Sequence, residues 1–472
     1  MNLSGRSPAS REKRLDTLSA YLGETSALLK EYESTEVDQR IRTFSQSTPD
    51  DVLSALKLLA GFRDAMTIIH GPRGCAASSV QLALAPAQEG RRGRWIVTNL
   101  NQRETIMGSD NKLRETVKAN YSRYAPKAIF IVATPAVSIN NDDIQSVANE
   151  LSDELGVPII PAYTSGFASK ASVHGNDVAA HSLIKQLLPS TRGERGEHVN
   201  LLSTTELASD CHEAERLLVA LGLESNTLPN ATSIEVFRRA AEARLSVPLD
   251  YEATTYLGNA LQELAQVPYL TLPRPIGVVA TKQWLSGIGA ATDRVQEALH
   301  LHIRETVAAT AILQSSPLRG VRVYLSLSPS TALGVLDLVQ ELGGEIVGIT
   351  VEHLDRLSLE GLRHYQQKAS ALHIHIGHGQ GFEEVNLLRR IKPGLYVGSG
   401  SHITQIAQLG IPSLYLPRIP IIGYRGVVSF AREASKVLRN QSFVANLAKQ
   451  DSVYLASWLQ RSPNWHIKQE VK

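Results

Sequence analysis

Short apolar runs alternate with amphipathic segments along most of the chain. Residues 94–100, RWIVTNL, and 127–136, KAIFIVATPA, are rich in β-branched residues and predict strands. Residues 112–124, KLRETVKANYSRY, and 142–156, DDIQSVANELSDELG, place apolar residues at helical spacing and predict helices. The second strand is continuously apolar rather than alternating, as is typical of parallel strands that are buried on both faces. The pattern therefore predicts an α/β fold with parallel sheets.

Two interruptions of this alternation divide the chain. The strands and helices stop near residue 188, resume at residue 199, and resume again near residue 320. Because 472 residues are too many for one hydrophobic core, several domains are expected. We predict three consecutive Rossmann-like, doubly wound domains with parallel sheets. The predicted boundaries are a tail and helix over 1–47, domains over 48–195, 196–313 and 314–440, and a C-terminal helical tail over 441–472.

Composition and charge exclude several classes of protein. The chain has 48 basic and 46 acidic residues, and this balance argues against nucleic-acid binding by bulk electrostatics. No apolar run approaches the length of a membrane span, so no membrane partner is expected. Residues 1–16 are polar, lack the apolar stretch of a secretory signal, and are interpreted as a disordered or partner-docking tail. Cys75 and Cys211, far apart in sequence, fit no disulfide framework and point to a reducing, cytoplasmic location.

One of the two cysteines lies in a Gly- and Pro-containing turn. Residues 70–79, HGPRGCAASS, follow an apolar run and contain Cys75. Such a turn lies beyond the carboxyl end of a strand, where ligands of open α/β sheets bind. Small neighbouring residues would let a metal cluster approach the thiol, and a thiolate is a good ligand for soft metals. It is equally possible that Cys75 is simply a small, buried hydrophobic residue. One thiolate cannot hold an iron–sulfur cluster, which usually takes four, so further ligands would have to come from another chain.

Other candidate ligands have plainer interpretations. Cys211, in SDCHEAERLL, is interpreted as a structural cysteine near the start of a helix. His373 and His375 share one face of a predicted strand, and His378 lies in the next turn. That spacing could bind a metal ion, but no carboxylate follows until Glu383, and ordinary strand-end histidines are favoured.

Nucleotide-binding motifs are weak or missing. No G-x-x-x-x-G-K-[ST] loop occurs in the sequence, and residues 398–403, GSGSHI, lack the third glycine of a dinucleotide fingerprint. We therefore expect no ATP or NAD site on this chain.

Several segments, taken in order, resemble nitrogenase component 1 and its relatives. Residues 68–76, IIHGPRGCA, resemble the cysteine turn of that family, and residues 105–117, TIMGSDNKLRETV, resemble the segment that follows it. Later matches, also in family order, are IFIVATPAVSINNDDI, YTSGFASKASVHGNDVAAHSLIKQL, KPGLYVGSGSHITQIAQLGIP and GYRGVVSFARE. The resemblance runs from about Asp50 to Ala434. The order and spacing of the motifs identify the chain as a member of this family.

Membership implies an assembly and a cofactor. The resemblance implies three Rossmann-like domains per chain and an iron–sulfur cluster between paired chains. It also implies an α-like partner in an α2β2 heterotetramer, and a separate ATP-dependent iron protein that binds transiently and delivers electrons to the cluster. A second site, for substrate or cofactor, would lie between the three domains.

The chain departs from the family in its cysteines. Family chains bring three cysteines each to the interface cluster, and here only Cys75 matches. Asp50 falls near the first family position and Pro135 at the third. Asp50 could be an oxygen ligand, as a carboxylate is in the protochlorophyllide-reducing relatives, or a helix cap, and the cap is favoured. The resemblance then implies a [4Fe–4S] cluster held by Cys75 and three cysteines of the partner, rather than a symmetric eight-iron cluster.

The cofactor-anchoring residues of the family are missing as well. Asp250, in LSVPLDYEATTYLG, falls at or near the family's cofactor cysteine, and PSLYLPRIPIIGY has no counterpart of its cofactor histidine. The chain therefore resembles the β-type partner, which does not itself anchor that cofactor. Four residues on the expected turns are candidates to lie around a cluster or substrate behind its direct ligands: Arg73, Asn101, Ser165 and His402. For each of them a structural role is favoured.

Two functions fit these observations. The chain is interpreted first as the β-like subunit of a nitrogenase-like reductase. In that complex, electrons pass through the Cys75 cluster to a tetrapyrrole, an organosulfur compound, dinitrogen or a metallocofactor held mainly by the partner. The alternative is the β-like subunit of a scaffold on which a cofactor precursor is matured. A binding protein that has lost its cluster is less favoured, because the cysteine turn is intact.

Overall fold

The computed structural model describes most of the chain. It covers residues 3–34, 37–46, 50–79, 93–188, 194–204, 207–230, 232–368, 372–400, 402–449 and 452–470. The chain divides into two compact units. The first contains residues 1–11, 50–205 and 222–271, and the second contains residues 12–49, 206–221 and 272–472.

Strands and helices alternate through both units. The strands are β1 Tyr21–Glu24, β2 Arg40–Arg42, β3 Ala65–His70, β4 Arg94–Val97, β5 Ala128–Ala133, β6 Ile159–Tyr163, β7 Val199–Ser203, β8 Ser225–Pro229, β9 Leu245–Pro248, β10 Arg322–Leu327, β11 Glu345–Val351, β12 His373–Ile376, β13 Leu395–Gly398, β14 Ser413–Tyr415 and β15 Ile467–Gln469. The α-helices are α1 Arg11–Leu15, α2 Thr25–Glu33, α3 Asp51–Leu59, α4 Gln102–Met107, α5 Asp110–Tyr124, α6 Pro135–Asn140, α7 Ile144–Leu155, α8 His174–Leu187, α9 Ala208–Ala220, α10 Ile234–Arg238, α11 Tyr251–Ala265, α12 Val278–Ala291, α13 Val295–Ser315, α14 Pro329–Glu341, α15 Leu359–Lys368, α16 Gly381–Ile391, α17 Ile403–Ala407, α18 Gly423–Arg439, α19 Gln441–Leu447 and α20 Ala456–Leu459. Short 3-10 helices cover Arg73–Ser79, Arg239–Glu242, Arg356–Ser358 and Leu416–Arg418.

The first unit contains a doubly wound parallel sheet. Its strands run in the order β4-β3-β5-β6, and all three pairings are parallel. Alternate residues of β5 enter different cores: Phe130 packs with residues of α3 and α8, whereas Ile129 and Ile131 pack with residues of α5 and α7. Helices therefore cover both faces, and this explains why β5 is continuously apolar. A second parallel sheet of this unit has the order β8-β7-β9.

The second unit contains a six-stranded sheet. Its order is β1-β12-β11-β10-β13-β14, in which β1 alone is antiparallel. The order reverses between β10 and β13, because β11 and β12 follow on one side of β10 while β13 and β14 follow on the other. Such a reversal marks the crevice in which open α/β sheets bind ligands. The predicted α/β class with parallel sheets is confirmed, and the boundaries of three domains stay a prediction.

Two sequence-based expectations are wrong near the N-terminus. Residues 3–16 are not a free tail: Arg11 is fully buried, and its guanidinium bonds the Asp177 carboxylate at 3.1 Å. The region 1–47, predicted to be a tail and a helix, contains α2 but also the strands β1 and β2. These short strands pair with β12 and β15, whose residues lie more than 300 positions further along the chain. Pairing at that distance leaves no local periodicity for a sequence pattern to detect.

None of the helices in the described ranges combines the length and apolar composition that a membrane crossing needs.

Candidate functional site

Cys75 lies directly beyond the carboxyl end of the central strand β3. The chain leaves β3 at His70, turns at Gly71 and Pro72, and enters the 3-10 helix Arg73–Ser79. The turn is tight because it lies against the start of the next connection: a Cβ atom on Gly71 would come within 2.0 Å of the Thr134 hydroxyl. Only glycine fits there.

The thiol lies in a partly exposed stretch of the turn. Cys75 is half-buried, its neighbours Arg73 and Gly74 are exposed, and Ala76 is buried beneath it. A Cβ atom on Gly74 would meet none of the described atoms within 4 Å. The amide of Cys75 donates to the carbonyl of Pro72 at 3.1 Å, which fixes the backbone of the turn. The sequence therefore folds into a hydrogen-bonded turn in which the sulfur is partly exposed among the described residues.

A buried histidine holds the turn from below. His70 is fully buried, with its Nδ1 3.2 Å from the hydroxyl of Thr98 and its Nε2 2.8 Å from that of Ser109. Ser109 also donates a short hydrogen bond to Asp142, and Thr98 accepts from the amide of Gly71 at 2.9 Å. Burial lowers the pKa of His70 to about 4, so the ring is neutral at physiological pH. This network connects the ends of β3 and β4 to the start of α5.

Two adjacent aspartates begin α3, and they differ in their surroundings. Asp50 is the N-cap residue, whose Oδ1 accepts from the amide of Leu53 at 3.1 Å. Asp51 is buried, and its Oδ1 accepts from the amide of Gly166 in the loop after β6. Burial raises the pKa of Asp51 to about 6, partly offset by the Gly166 hydrogen bond. Helix α3 packs against the 3-10 helix that contains Cys75.

Four large apolar side chains are exposed at the same edge of the sheet. Helix α4 follows β4, α6 follows β5, and the loop with residue 167 follows β6, so all leave the carboxyl edge from which the Cys75 turn also leaves. The exposed fractions are 80% for Ile106, 78% for Met107, 70% for Ile139 and 68% for Phe167. A side-chain hydrogen bond from Asn140 to the carbonyl of Thr105 joins α4 to α6. We call these four side chains the apolar rim; clustered exposure of this kind marks interaction surfaces.

The other turn residues of the first unit have structural contacts. Asn101 forms a capping box with Glu104 at the start of α4, and Ser165 accepts from the amide of Ala168 at 3.2 Å. Arg73 is exposed beside the thiol. Pro135 occupies the first turn of α6 and cannot be a metal ligand.

The remaining candidates are engaged within their own units. Asp250 is buried and accepts from the amide of Thr204 at 3.0 Å, which ties α11 to the end of β7. In the second unit, Cys211 is buried in α9, as expected of a structural cysteine.

The histidines of the second unit are also paired. His375 lies 2.7 Å from Glu383, which also receives a hydrogen bond from Arg42 and lies 2.8 Å from His466. His402 makes a short hydrogen bond to Glu384, and His373 is exposed. Across the described residues, no group of three or more His, Cys, Asp or Glu side chains is arranged to hold a metal ion.

The iron–sulfur cluster implied by the resemblance fits this chain as a shared group only. The described residues of the first unit contain one thiol, that of Cys75. A cluster with four ligands would therefore need its other ligands from another chain. The apolar rim provides a surface on which such a chain could pack.

The sequence predicted the Cys75 turn and the helix cap at Asp50, but it did not predict the roles of the residues around them. His70 is part of the segment HGPRGCAASS, but its hydrogen-bond partner Ser109 is distant in sequence. Asp51 had no signal that separates it from Asp50. The adjacent pair Ile106 and Met107, next to a turn glycine, was a usable sign of exposed apolar residues.

The fold and the site define the class: an α/β protein with a half-exposed thiol at the carboxyl edge of a parallel sheet. Comparison with known sequences identifies the family. The family model described as nitrogenase component 1 type oxidoreductase matches residues 52–439. The chain therefore belongs to this family.

Individual relatives are distant but cover most of the chain. The NifE iron–molybdenum cofactor biosynthesis protein of Nostoc sp. is 24% identical over 79% of this chain and 80% of its own. The nitrogenase molybdenum–iron protein alpha chain of Methanothermobacter thermautotrophicus is 22% identical over 80% and 84%. A light-independent protochlorophyllide reductase chain of Halorhodospira halophila is 26% identical over 63% and 58%. The solved structure of nitrogenase Cp1 superimposes with a TM-score of 0.73 at 18% identity, covering 87% of this chain and 92% of that one.

Proposed function

We propose that this chain is the β-like subunit of a nitrogenase-like two-component reductase. In this proposal Cys75 is one ligand of a [4Fe–4S] cluster whose three other ligands belong to an α-like partner chain. The observation that carries it is a half-exposed thiol at the same sheet edge from which the elements bearing the exposed apolar rim also leave. An ATP-dependent iron protein would supply the electrons, in the reducing cytoplasm.

The residues of the turn have separate tasks in this proposal. When bound, the cluster supplies one-electron transfer. Gly74 leaves room for it, and Gly71 lets the turn lie against Thr134. Neutral His70 holds the turn without adding a charge below the thiol. The apolar rim excludes water where the two chains meet, which strengthens electrostatic interactions inside the interface.

Asp50 is a second, weaker candidate ligand. Its Oδ1 serves the helix cap, and its Oδ2 makes no hydrogen bond within the described residues. An aspartate that caps a helix with one oxygen can bind iron with the other. Replacing Asp50 with Asn keeps the capping oxygen but removes the charge, so a cluster with altered EPR in that variant would support ligation.

The β-like assignment comes from the residues rather than from the relatives. The relatives include an alpha chain and NifE as well as a protochlorophyllide reductase chain. Asp250, at or near the family's cofactor cysteine, is a buried carboxylate bonded to Thr204, which favours a chain that does not anchor a cofactor.

A scaffold for cofactor maturation is the second candidate function. The observation that favours it is the similarity to NifE, a cofactor biosynthesis protein, over about four fifths of both chains. A scaffold would use the same single thiol and the same rim, so the site residues do not separate the two functions.

Anaerobic co-purification with the partner encoded nearby tests the proposal. We expect a brown complex that contains iron and an EPR signal of a reduced [4Fe–4S] cluster. A reductase would be reoxidised by substrate through many turnovers with the iron protein and ATP. A scaffold would release a metal-containing precursor once. An iron-free complex of the two chains would contradict both.

A further inference from the structure

A helix of the second unit begins without a side-chain cap at the ligand-binding edge of its sheet. Strand β10 ends at Leu327, and α14 starts at Pro329 after Ser328. The Ser328 side chain makes no capping hydrogen bond to a backbone amide of this 13-residue helix. The first amides of a helix have no partner within the helix and carry its positive end, so they favour a negatively charged ligand.

A buried arginine points into this uncapped turn. Arg274 is 8% exposed, and its Nη1 donates to the hydroxyls of Thr331 at 2.6 Å and Ser330 at 3.3 Å. Its Nε is buried and has no hydrogen-bond partner in the part of the chain that the structure describes. Both hydroxyls belong to the first turn of α14. A cation thus lies at the positive end of a helix, an arrangement that a bound anion would stabilise.

The arginine is held in this position by its own segment. Gly277 has a φ of +88° and starts α12, whose first amides donate to the Glu341 carboxylate at 2.7 and 3.0 Å. The carbonyl of Pro275 accepts from the amide of Gly423 at 2.8 Å. The residues that follow Arg274 are therefore fixed, and the hydrogen bonds to Thr331 and Ser330 hold the guanidinium at the start of α14.

No described carboxylate neutralises this arginine by direct contact. The buried carboxyl of Asp210 interacts with Arg274 through its charge. Burial raises the pKa of Asp210, and the positive charge of Arg274 opposes that rise. Its Oδ1 is used by the amides of Ile421 and Ile422. The hydrogen bonds of Arg274 go only to hydroxyls within the described residues.

The topology places this turn where ligands bind. The strand order of the six-stranded sheet reverses between β10 and β13, so the turns after these two strands flank one crevice. The turn after β13 leads to His402, which is bonded to the buried Glu384. Glu384 also accepts from the Tyr396 hydroxyl at 2.9 Å. The crevice therefore has a fixed histidine beside one strand and an arginine beside the other.

We propose that Arg274 and the first turn of α14 bind an oxyanion, the phosphate or carboxylate group of a small molecule. The guanidinium and the helix amides would donate to its oxygens, and the Thr331 and Ser330 hydroxyls would complete the contacts. This site lies in the second unit and does not depend on the Cys75 cluster.

Equilibrium dialysis of the full-length chain tests this site at constant ionic strength. Radiolabelled inorganic phosphate is used in one arm and citrate in the other, with chloride as the competing salt. Arg274→Met removes the guanidinium while keeping an apolar stem. Arg319→Met is the matched control, because Arg319 is exposed at the opposite end of β10 and its loss changes the net charge equally. Thr331→Val removes the hydroxyl that bonds Arg274 and Ser328 at nearly constant volume.

We expect saturable binding of at least one anion by the wild-type chain and by Arg319→Met. The dissociation constant should rise by about tenfold or more in Arg274→Met and several-fold in Thr331→Val. Saturation by phosphate alone identifies a phosphate ligand, and saturation by citrate alone a carboxylate. The proposal is overturned if neither anion saturates, or if Arg274→Met and Arg319→Met bind equally. Should Arg274→Met fail to fold, unchanged binding by Thr331→Val overturns it.

Discussion

The two glycines of the Cys75 turn, Gly71 and Gly74, have different roles. Gly71 is required by packing, because a Cβ atom there would lie 2.0 Å from the Thr134 hydroxyl. A Cβ atom on Gly74 would meet none of the described atoms within 4 Å, so Gly74 lacks that restraint from the described residues. The first glycine therefore serves the fold, and the second leaves room beside the thiol.

Gly71→Ala and Gly74→Ala should differ in stability. We expect Gly71→Ala to lower the free energy of unfolding by about 1–3 kcal/mol, because Thr134 or the turn must move. Gly74→Ala should change it by less than about 0.5 kcal/mol. Urea unfolding of both variants measures the difference, and equal losses would show that the turn is not packed as described.

Asp51 and His70 have pKa shifts that affect stability in opposite directions. Asp51 has its pKa raised to about 6 by burial, so its contribution to stability is lost as pH rises from about 4 to about 6. His70 has its pKa lowered to about 4, so stability is lost as pH falls from about 6.5 to about 4. The two effects oppose each other across the same range of pH.

Asp51→Asn should isolate one of these effects. Asn retains an oxygen that can accept from the Gly166 amide, but it cannot ionise. Relative to the wild type, the variant should gain stability as pH rises from 4 to 6, reaching up to about 3 kcal/mol above pH 6. Urea unfolding at pH 4.5, 5.5 and 7 measures the gain. A difference that does not vary with pH would place the Asp51 carboxylate in solvent.

At the scale of elements, three connections of one sheet bring the apolar rim together. Helices α4 and α6 and the loop after β6 each expose large apolar side chains, and the hydrogen bond between Asn140 and Thr105 joins the two helices. Neither helix is long enough to be stable alone, so their positions depend on the sheet.

Replacing rim residues should weaken the partner complex without unfolding the chain. Ile139→Ser combined with Phe167→Ser removes two side chains that are exposed in the isolated chain. The stability of the chain should therefore change little, while the partner's dissociation constant should rise about tenfold or more. Val219→Ser, at an exposed apolar position on α9 of the second unit, is the matched control. Equal affinities in both variants would place the partner elsewhere.

Long buried elements could be predicted from the sequence, and short paired ones could not. Strands β3 and β5 are fully buried, β5 is continuously apolar, and the predicted helices α5 and α7 end within two residues of the expected positions. The strands β1, β2 and β15 were missed, because their partners lie far away in sequence. The same reason explains the site: Cys75 follows a strong strand signal, whereas the burial of His70 and Asp51 comes from distant segments.

At the scale of the whole molecule, the N-terminal segment is part of the first unit. Arg11 donates to both oxygens of Asp177 on α8 and to the carbonyl of Glu252 on α11. The carbonyl of Gly5 lies 3.1 Å from His181, also on α8. The polar composition predicted a disordered or partner-docking tail. A buried charge pair needs only one arginine, however, and produces no apolar pattern that the sequence would reveal.

Arg11→Met should destabilise the first unit strongly. The change removes the cation and leaves the Asp177 carboxylate buried beside an apolar side chain. We expect a loss of about 3–5 kcal/mol in the free energy of unfolding. Chemical unfolding measures the loss, with the exposed Arg6→Met as a control of equal charge. A loss below about 1 kcal/mol in Arg11→Met would mean that the pair is hydrated.

The central claim is that this chain contributes a single thiol to a cluster shared with another chain. The two cysteines provide the most direct test, because Cys75 is half-exposed in its turn and Cys211 is buried in α9. The measurement is iron content and EPR of the anaerobically purified complex for the wild type, Cys75→Ala and Cys211→Ala. We predict that Cys75→Ala loses most of the cluster signal while the chain stays folded, and that Cys211→Ala retains the iron at a lower stability. A Cys75→Ala complex with full iron and an unchanged EPR signal would contradict the account.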